Sequence, residues 1–203
     1  MAEFSSSDVK RLRDETGAGM MDCKKALEAS GGDYERATVW LREQGIAKAG
    51  KRQGRVTANG VIEAYLHRTG DYPPQTGALV EVDCESDFVA KGDDFRNLAR
   101  ELAMQVAAAS PRWVTRDEVP EELIEQEKAV AREEAKNAGR PEQAWPKIVE
   151  GRLENFFKET VLLEQPYIRD PKTSIDQLVK QSIAKLQENI TVRRFARFNV
   201  KEA

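Results

Sequence analysis

Ile190-Thr191-Val192-Arg193-Arg194-Phe195-Ala196-Arg197-Phe198-Asn199-Val200 closes the chain, and its reading decides the fold. The run is rich in β-branched and aromatic residues, carries no glycine or proline, and reads as a strand. Two shorter runs of the same kind lie far upstream. They are Val61-Ile62-Glu63-Ala64-Tyr65-Leu66 and Ala78-Leu79-Val80-Glu81-Val82, with Gly70-Asp71-Tyr72-Pro73-Pro74 between them as a turn. Between these strands and the last one the period is helical. Phe95, Leu98, Ala99, Leu102 and Val106 recur at helical spacing from Asp94 to Ala109, and Pro111 closes that segment. Glu121 to Asn137 reads as a charged helix broken by Gly139-Arg140-Pro141. Pro146 suits the first turn of another helix running to about Leu163, and Ser174 to Gln187 is helical again. Strands at both ends of a helical insertion imply a small antiparallel sheet with helices on one side. Residues 55–203 therefore read as an α+β core domain.

Working outward to the N-terminus, the first fifty residues read as three short helices. Ser5 to Ser7 offer capping hydroxyls and Asp8 puts negative charge in a first turn, after which Val9 and Leu12 share a face. Thr16-Gly17-Ala18-Gly19 ends that helix. A second, from about Met21 to Ser30, presents Cys23, Ala26 and Leu27 together and stops at Gly31-Gly32. Asp33 caps a third, whose stripe is Tyr34, Ala37, Trp40 and Leu41 and which is expected to stop at Gly45. Helices this short bury one face each only by packing on one another, so a three-helix bundle is expected. Ala47 to Arg55, rich in glycine and positive charge, reads as a solvated linker, and the domain boundary falls at residue 54.

Bulk properties narrow the function. The 203 residues carry a net charge of −3, which does not supply the basic footprint of a dedicated nucleic-acid binder. No apolar run reaches the roughly 18–20 residues that span a bilayer, and Met1 to Asp8 lack the pattern of a secretory signal. A cytoplasmic protein is the simple expectation. Cys23 and Cys84 are the only cysteines and His67 the only histidine. Two cysteines build neither a disulfide-dense scaffold nor a four-sulfur zinc site. Gly17-Ala18-Gly19-Met20-Met21-Asp22 has glycines without the lysine and hydroxyl of a phosphate loop, and Gly50-Lys51-Arg52 has no hydroxyl and no preceding strand. Carboxylates are plentiful, but along Glu121 to Glu134 they face Lys128 and Arg132 as a solvated helix surface. The sequence argues against an enzyme, and neither a catalytic residue, a metal site nor a cofactor is expected.

One segment stands apart: Cys84-Glu85-Ser86-Asp87-Phe88-Val89-Ala90 follows the second strand and precedes a helix, so it lies on a turn at the sheet's edge. Two readings fit it. Phe88 tucks under the next helix while Asp87 caps that helix, or Phe88 stands exposed as an anchor for a partner's pocket. Patterning alone does not choose.

Taken together, these segments resemble the elongation factor Ts family. Val9 to Arg13 with Thr16 to Leu27 is similar to the family's N-terminal signature, and Trp40-Leu41-Arg42 with Gly45-Ile46-Ala47 to the end of that module. Val82-Asp83-Cys84-Glu85-Ser86-Asp87-Phe88-Val89-Ala90 resembles the core motif, with Ser86 where the family usually has threonine. Gly139 to Glu142, Lys147 to Leu153, Leu163 to Pro166 and Arg194 to Phe198 match later segments. The length corresponds to the short bacterial form, which lacks a second core subdomain and a projecting helical hairpin.

The resemblance implies an N-terminal three-helix bundle of the UBA-like kind, followed by a small antiparallel sheet packed with helices. It implies a guanine-nucleotide exchange factor that binds elongation factor Tu·GDP, disturbs Mg²⁺ and phosphate binding, and promotes GDP release. Ser86, Asp87, Phe88 and Val89 are the residues implied in dislocating the partner's Mg²⁺. Val9, Leu12, Met20 and Met21 are candidates for docking on its GTPase domain, although core packing is an equal reading for Val9 and Leu12. Short members can pair two copies, which extends the partner expectation to a homodimer. Direct binding of nucleotide, nucleic acid or membrane is not expected. The competing readings are a passive interaction module and an RNA-binding accessory using Lys48, Lys51, Arg52, Arg55, Arg193, Arg194 and Arg197.

Overall fold

The computed structural model of the protein describes residues 4–201, with the side chains of Ile46 and Lys48 outside that description. In chain order the elements are α1 (Ser6–Thr16), α2 (Met20–Ala29), α3 (Tyr34–Gly50), β1 (Asn59–His67), β2 (Thr76–Cys84), α4 (Asp87–Ala90) and α5 (Asp93–Ala109). There follow α6 (Glu121–Asn137), α7 (Trp145–Thr160), β3 (Pro166–Tyr167), β4 (Asp170–Ser174), α8 (Ile175–Leu186) and β5 (Ile190–Asn199). The fold is α+β, as the strand–helices–strand order implies. The chain divides into two compact units. The first comprises the chain up to Val61, with Val82–Ala99 and Gln177–Thr191; the second comprises Ile62–Glu81, Arg100–Asp176 and the chain from Val192.

The first unit contains the helical bundle. Ser5 caps α1 through a capping box: its hydroxyl accepts from the Asp8 amide, and the Asp8 carboxylate accepts from the Ser5 amide at 2.8 Å. Gly17 closes the helix with φ 68°, a left-handed conformation that a side chain would strain. Val9, Leu12, Cys23, Ala26, Leu27, Ala37 and Leu41 form the bundle's core, with Phe4, Ala18, Tyr34 and Trp40 packed against it. The stripes read from helical spacing are the buried faces.

The expected stop at Gly45 is incorrect: α3 runs on to Gly50. A Cβ built at Gly45 would lie 3.0 Å from the Ala184 Cβ of α8, so this glycine permits close packing instead of ending the helix. The connecting segment correspondingly shortens to the turn after Gly50.

Strands β1, β2 and β5 form a three-stranded antiparallel sheet with β2 at its centre. On β2, Ala78, Val80, Val82 and Cys84 are buried while Leu79 is exposed, the alternation of a half-buried strand. In β5 that alternation slips. Ile190 and Val192 are buried, Arg193 and Arg194 are both exposed, and from there the even-numbered residues Ala196 and Phe198 face outward. Two consecutive outward residues are the signature of a β-bulge. Below the slip the inner face is fixed by Arg197, whose Nε donates to the Ala107 carbonyl of α5 at 3.1 Å.

In the second unit α6 and α7 pack on each other as an antiparallel pair. Val119, Phe157 and Val161 form a small core there with Trp113, Ile124, Leu153 and Phe156. Arg116 lies over the Phe157 ring at 4.5 Å and pairs with the carboxylates of Glu154 and Glu164, which raise its pKa further. The β3–β4 hairpin has no counterpart in the sequence reading. It is held by two buried amides: Gln105 donates to Gln165 Oε1 and the Pro166 carbonyl and accepts from the Ile168 amide at 2.9 Å. Gln165 donates onward to the carbonyls of Ala109 and Glu159.

Candidate functional site: an exposed turn

Everything that fixes the Ser86–Val89 turn lies within the first unit. β2 ends at Cys84, whose buried Sγ donates to the Ser86 carbonyl at 3.2 Å. Burial pushes this thiol up to about 11, with the Glu188 carboxylate adding to the shift. The next residues leave the strand and start a single helical turn, α4. Its N-cap is Ser86, in extended backbone geometry, with its hydroxyl accepting from the Val89 amide at 3.3 Å.

The capping role read for Asp87 therefore belongs to Ser86. Asp87 occupies the first helical position, exposed, and accepts from Lys91 Nζ at 2.6 Å. That hydrogen bond and the lysine's charge hold its carboxyl below the ordinary carboxylate range.

Phe88 does not tuck under the following helix. It is 84% exposed, while its neighbour Ala90 turns inward and Val89 is half-buried. On this capped turn Ala90 takes the inner side, and the aromatic that the segment buries is Phe95 of α5.

The turn is held from below by residues that sequence reasoning missed. The Glu188 carboxylate accepts from the Glu85 amide at 3.1 Å, the Ser86 amide at 3.0 Å and the Ser86 hydroxyl at 2.6 Å. The Glu85 carboxylate reciprocates, accepting from the Asn189 amide at 2.6 Å and pairing with Arg55 at 3.5 Å. Asn59 Nδ2 donates to the Glu85 carbonyl, and Asn189 Nδ2 to the Arg55 carbonyl, each at 2.9 Å. One signal was present in the sequence. Gln187-Glu188-Asn189 joins α8 to β5 without a glycine, and Gln187 takes φ 63°. A polar connection made without the usual glycine marks side chains recruited to satisfy backbone groups.

The docking candidates divide. Met20 and Met21, at the start of α2, are 47% and 64% exposed. Leu12 is 0% exposed and Val9 lies beside it in the bundle core, so their part in any contact is to support the surface from beneath rather than to touch a partner. His67 is exposed at the end of β1, where its Nδ1 shares a hydrogen bond with the Tyr65 hydroxyl at 3.2 Å. Arg52, Arg55 and Arg194 are engaged with Gln187, Glu85 and Glu81 respectively. No helix among the described residues is long and apolar enough to cross a membrane.

An exposed aromatic on a turn braced from below is the kind of group found at the anchors of protein interfaces. Residues 47–202 match the sequence model of the family described as Elongation factor TS. The chain is 54% identical over 200 residues to "Elongation factor Ts" of Coprothermobacter proteolyticus, covering 98% of this chain and 100% of that one. It is 52% identical over 202 residues to that of Desulforamulus reducens (100% and 91% covered), and 50% identical over 204 residues to that of Frankia casuarinae, with both chains covered in full. The chain belongs to the elongation factor Ts family, the nucleotide-exchange factors of translation elongation.

Proposed function

We propose that this chain acts in the cytoplasm on elongation factor Tu carrying GDP, and that it accelerates GDP release by pressing Phe88 into the partner's GTPase domain. The observation that carries this reading is the 84% exposure of Phe88 on a turn whose root is fixed by eight named hydrogen bonds and ion pairs of Ser86, Glu85 and their partners. An aromatic left in water at the tip of a rigid turn contributes nothing to the core, and its burial in a partner's pocket gains apolar area at small entropic cost. Asp87, kept ionised beside Lys91, brings an acceptor to the same surface. Ser86 and Val89 set the turn. Displacing the helices around the nucleotide disturbs the coordination of the partner's Mg²⁺, the largest local charge there, and with it the hold on the phosphates.

Exchange by this route is a linkage. Whatever factor the protein takes from GDP affinity, GDP takes from the protein's affinity. A ~10⁴-fold weakening needs roughly 5.5 kcal/mol of coupling, more than one aromatic hot spot of about 2–4 kcal/mol commonly supplies. Docking elsewhere must hold the wedge in place. Met20 and Met21 on the bundle (residues 1–54) provide adaptable exposed thioethers, and the 55–203 core provides the remaining surface. No bond is made or broken by the protein itself, and no cofactor enters the process.

The expected partners also include a second copy. Ile62, Leu66, Leu79 and Phe198 are exposed large apolar side chains on the outer face of the sheet. Grouped apolar residues of this kind mark interaction surfaces.

Phe88→Ala tests the exchange reading. Its exposure predicts a change in folding stability within about 0.5 kcal/mol and a loss of about thirtyfold in the maximal rate of GDP release. Stopped-flow release of a fluorescent GDP from elongation factor Tu measures it, and undiminished acceleration would remove the wedge.

A further inference from the structure

Phe88 is too exposed to be held by its own packing, so what fixes its position must act on the residues before it. The strongest such restraint is a single side chain more than a hundred residues away in sequence. Glu188 receives three donors from two consecutive residues: the Glu85 amide, the Ser86 amide and the Ser86 hydroxyl. A hydroxyl has one proton and two lone pairs. With its proton directed to Glu188 at 2.6 Å, the Ser86 oxygen presents lone pairs to the Val89 amide. The carboxylate thus fixes the rotor of the capping hydroxyl, and a hydrogen bond donated to a charged acceptor makes that oxygen a better acceptor in turn. Glu188, Ser86 and the Val89 amide form one chain of hydrogen bonds, and Phe88 is enclosed by it.

We infer that Glu188 is a positioning residue for exchange, acting through Ser86 to keep the Phe88 turn rigid enough to displace the partner's helices instead of yielding to them. This rests on the exchange reading proposed above. A wedge transmits force only if it is stiffer than what it displaces. A turn that rearranges on docking spends its binding energy on its own ordering. Loss of Glu188 should therefore leave docking nearly intact and reduce the step that follows docking. A residue needed only for the fold would lower both together, or neither.

The test uses the full chain with elongation factor Tu·GDP and four variants: Glu188→Gln, Ser86→Ala, the double variant and Phe88→Ala. For each, the affinity for the partner and the GDP release rate at saturating factor are measured, with amide hydrogen exchange at Glu85 and Ser86 as the local readout. Glu188→Gln keeps the size of the side chain and one oxygen for the two amides but removes the charge. Its expected result is affinity within about threefold of the parent, a maximal release rate about tenfold lower, and faster exchange of the two amides. The double variant should fall no further than the more impaired single, because the two side chains act as one unit.

An unchanged maximal rate in Glu188→Gln, or effects of Ser86→Ala and Glu188→Gln that multiply, overturns the positioning role. So does a loss confined to affinity. If Phe88→Ala itself releases GDP at the full rate, the exchange reading fails first and this inference with it. A reduced rate in Phe88→Ala beside a parental Glu188→Gln sinks the positioning role alone.

Discussion

Cys84 shows how much of the site is decided at single residues. It ends β2 fully buried, and its Sγ reaches the carbonyl of Ser86, the residue that caps the wedge turn. Burial favours the neutral thiol, so its pKa stands at about 11 against 9.0 for a free group. A pKa raised on folding gives stability that is complete below 9.0 and is lost as the pH rises through about 11. Stability should therefore decline across that alkaline window, and Cys84→Ala should flatten the decline; urea titrations at stepped pH measure both. At neutral pH a disulfide reagent should leave Cys23 and Cys84 untouched until the chain unfolds, since both are free and buried. At this scale the sequence was legible for residue type and less so for orientation. Cys84-Glu85-Ser86-Asp87-Phe88 announced a turn with its cap read at Asp87 instead of Ser86, and either outcome for Phe88 fitted. The brace on that turn was not legible, because the reach of Glu188 to Ser86 depends on the α8–β5 connection and leaves no local pattern.

Among the elements, α3 carries the instructive departure. Glycine in a helical pattern reads as a stop because it costs about 1 kcal/mol relative to alanine, yet α3 passes through Gly45. The compensation is close contact with Ala184, 3.0 Å from where a Cβ would sit. Gly45→Ala gains the helix propensity but forces α3 from α8, and a net loss of about 1 kcal/mol is expected. Chemical denaturation measures it, and a stabilised variant would show that the contact relaxes freely. Helices with intact periodicity were legible to within about three residues: α6 covers Glu121–Asn137, as its charge pattern and the Gly139-Arg140-Pro141 break indicate, and α7 ends at Thr160 where about Leu163 was expected. The β3–β4 hairpin was not. Pro166-Tyr167 and Asp170 to Ser174 carry no apolar alternation, and their pairing depends on Gln105, some sixty residues earlier.

For the molecule as a whole, three apolar runs located the strands, and the order in which they pair, β1-β2-β5, sets an outer sheet face that the core does not cover. Ile62, Leu66, Leu79 and Phe198 lie exposed there. If two copies pair through that face, sedimentation should show a dimer that Phe198→Glu converts to monomer without loss of folded structure. A parent protein that sediments as a monomer at all accessible concentrations removes the pairing. Phe198 reaches that face only because β5 slips at Arg193 and Arg194. The slip makes this point of the strand tolerant of count as well as identity. Replacing either arginine changes one exposed side chain, and removing one would take out the extra residue and restore strict alternation with Phe195 and Arg197 still inward and Ala196 and Phe198 still outward. Among relatives, this stretch should therefore vary freely in letters and admit the loss of one residue, whereas a single-residue loss further along the strand would turn its face over.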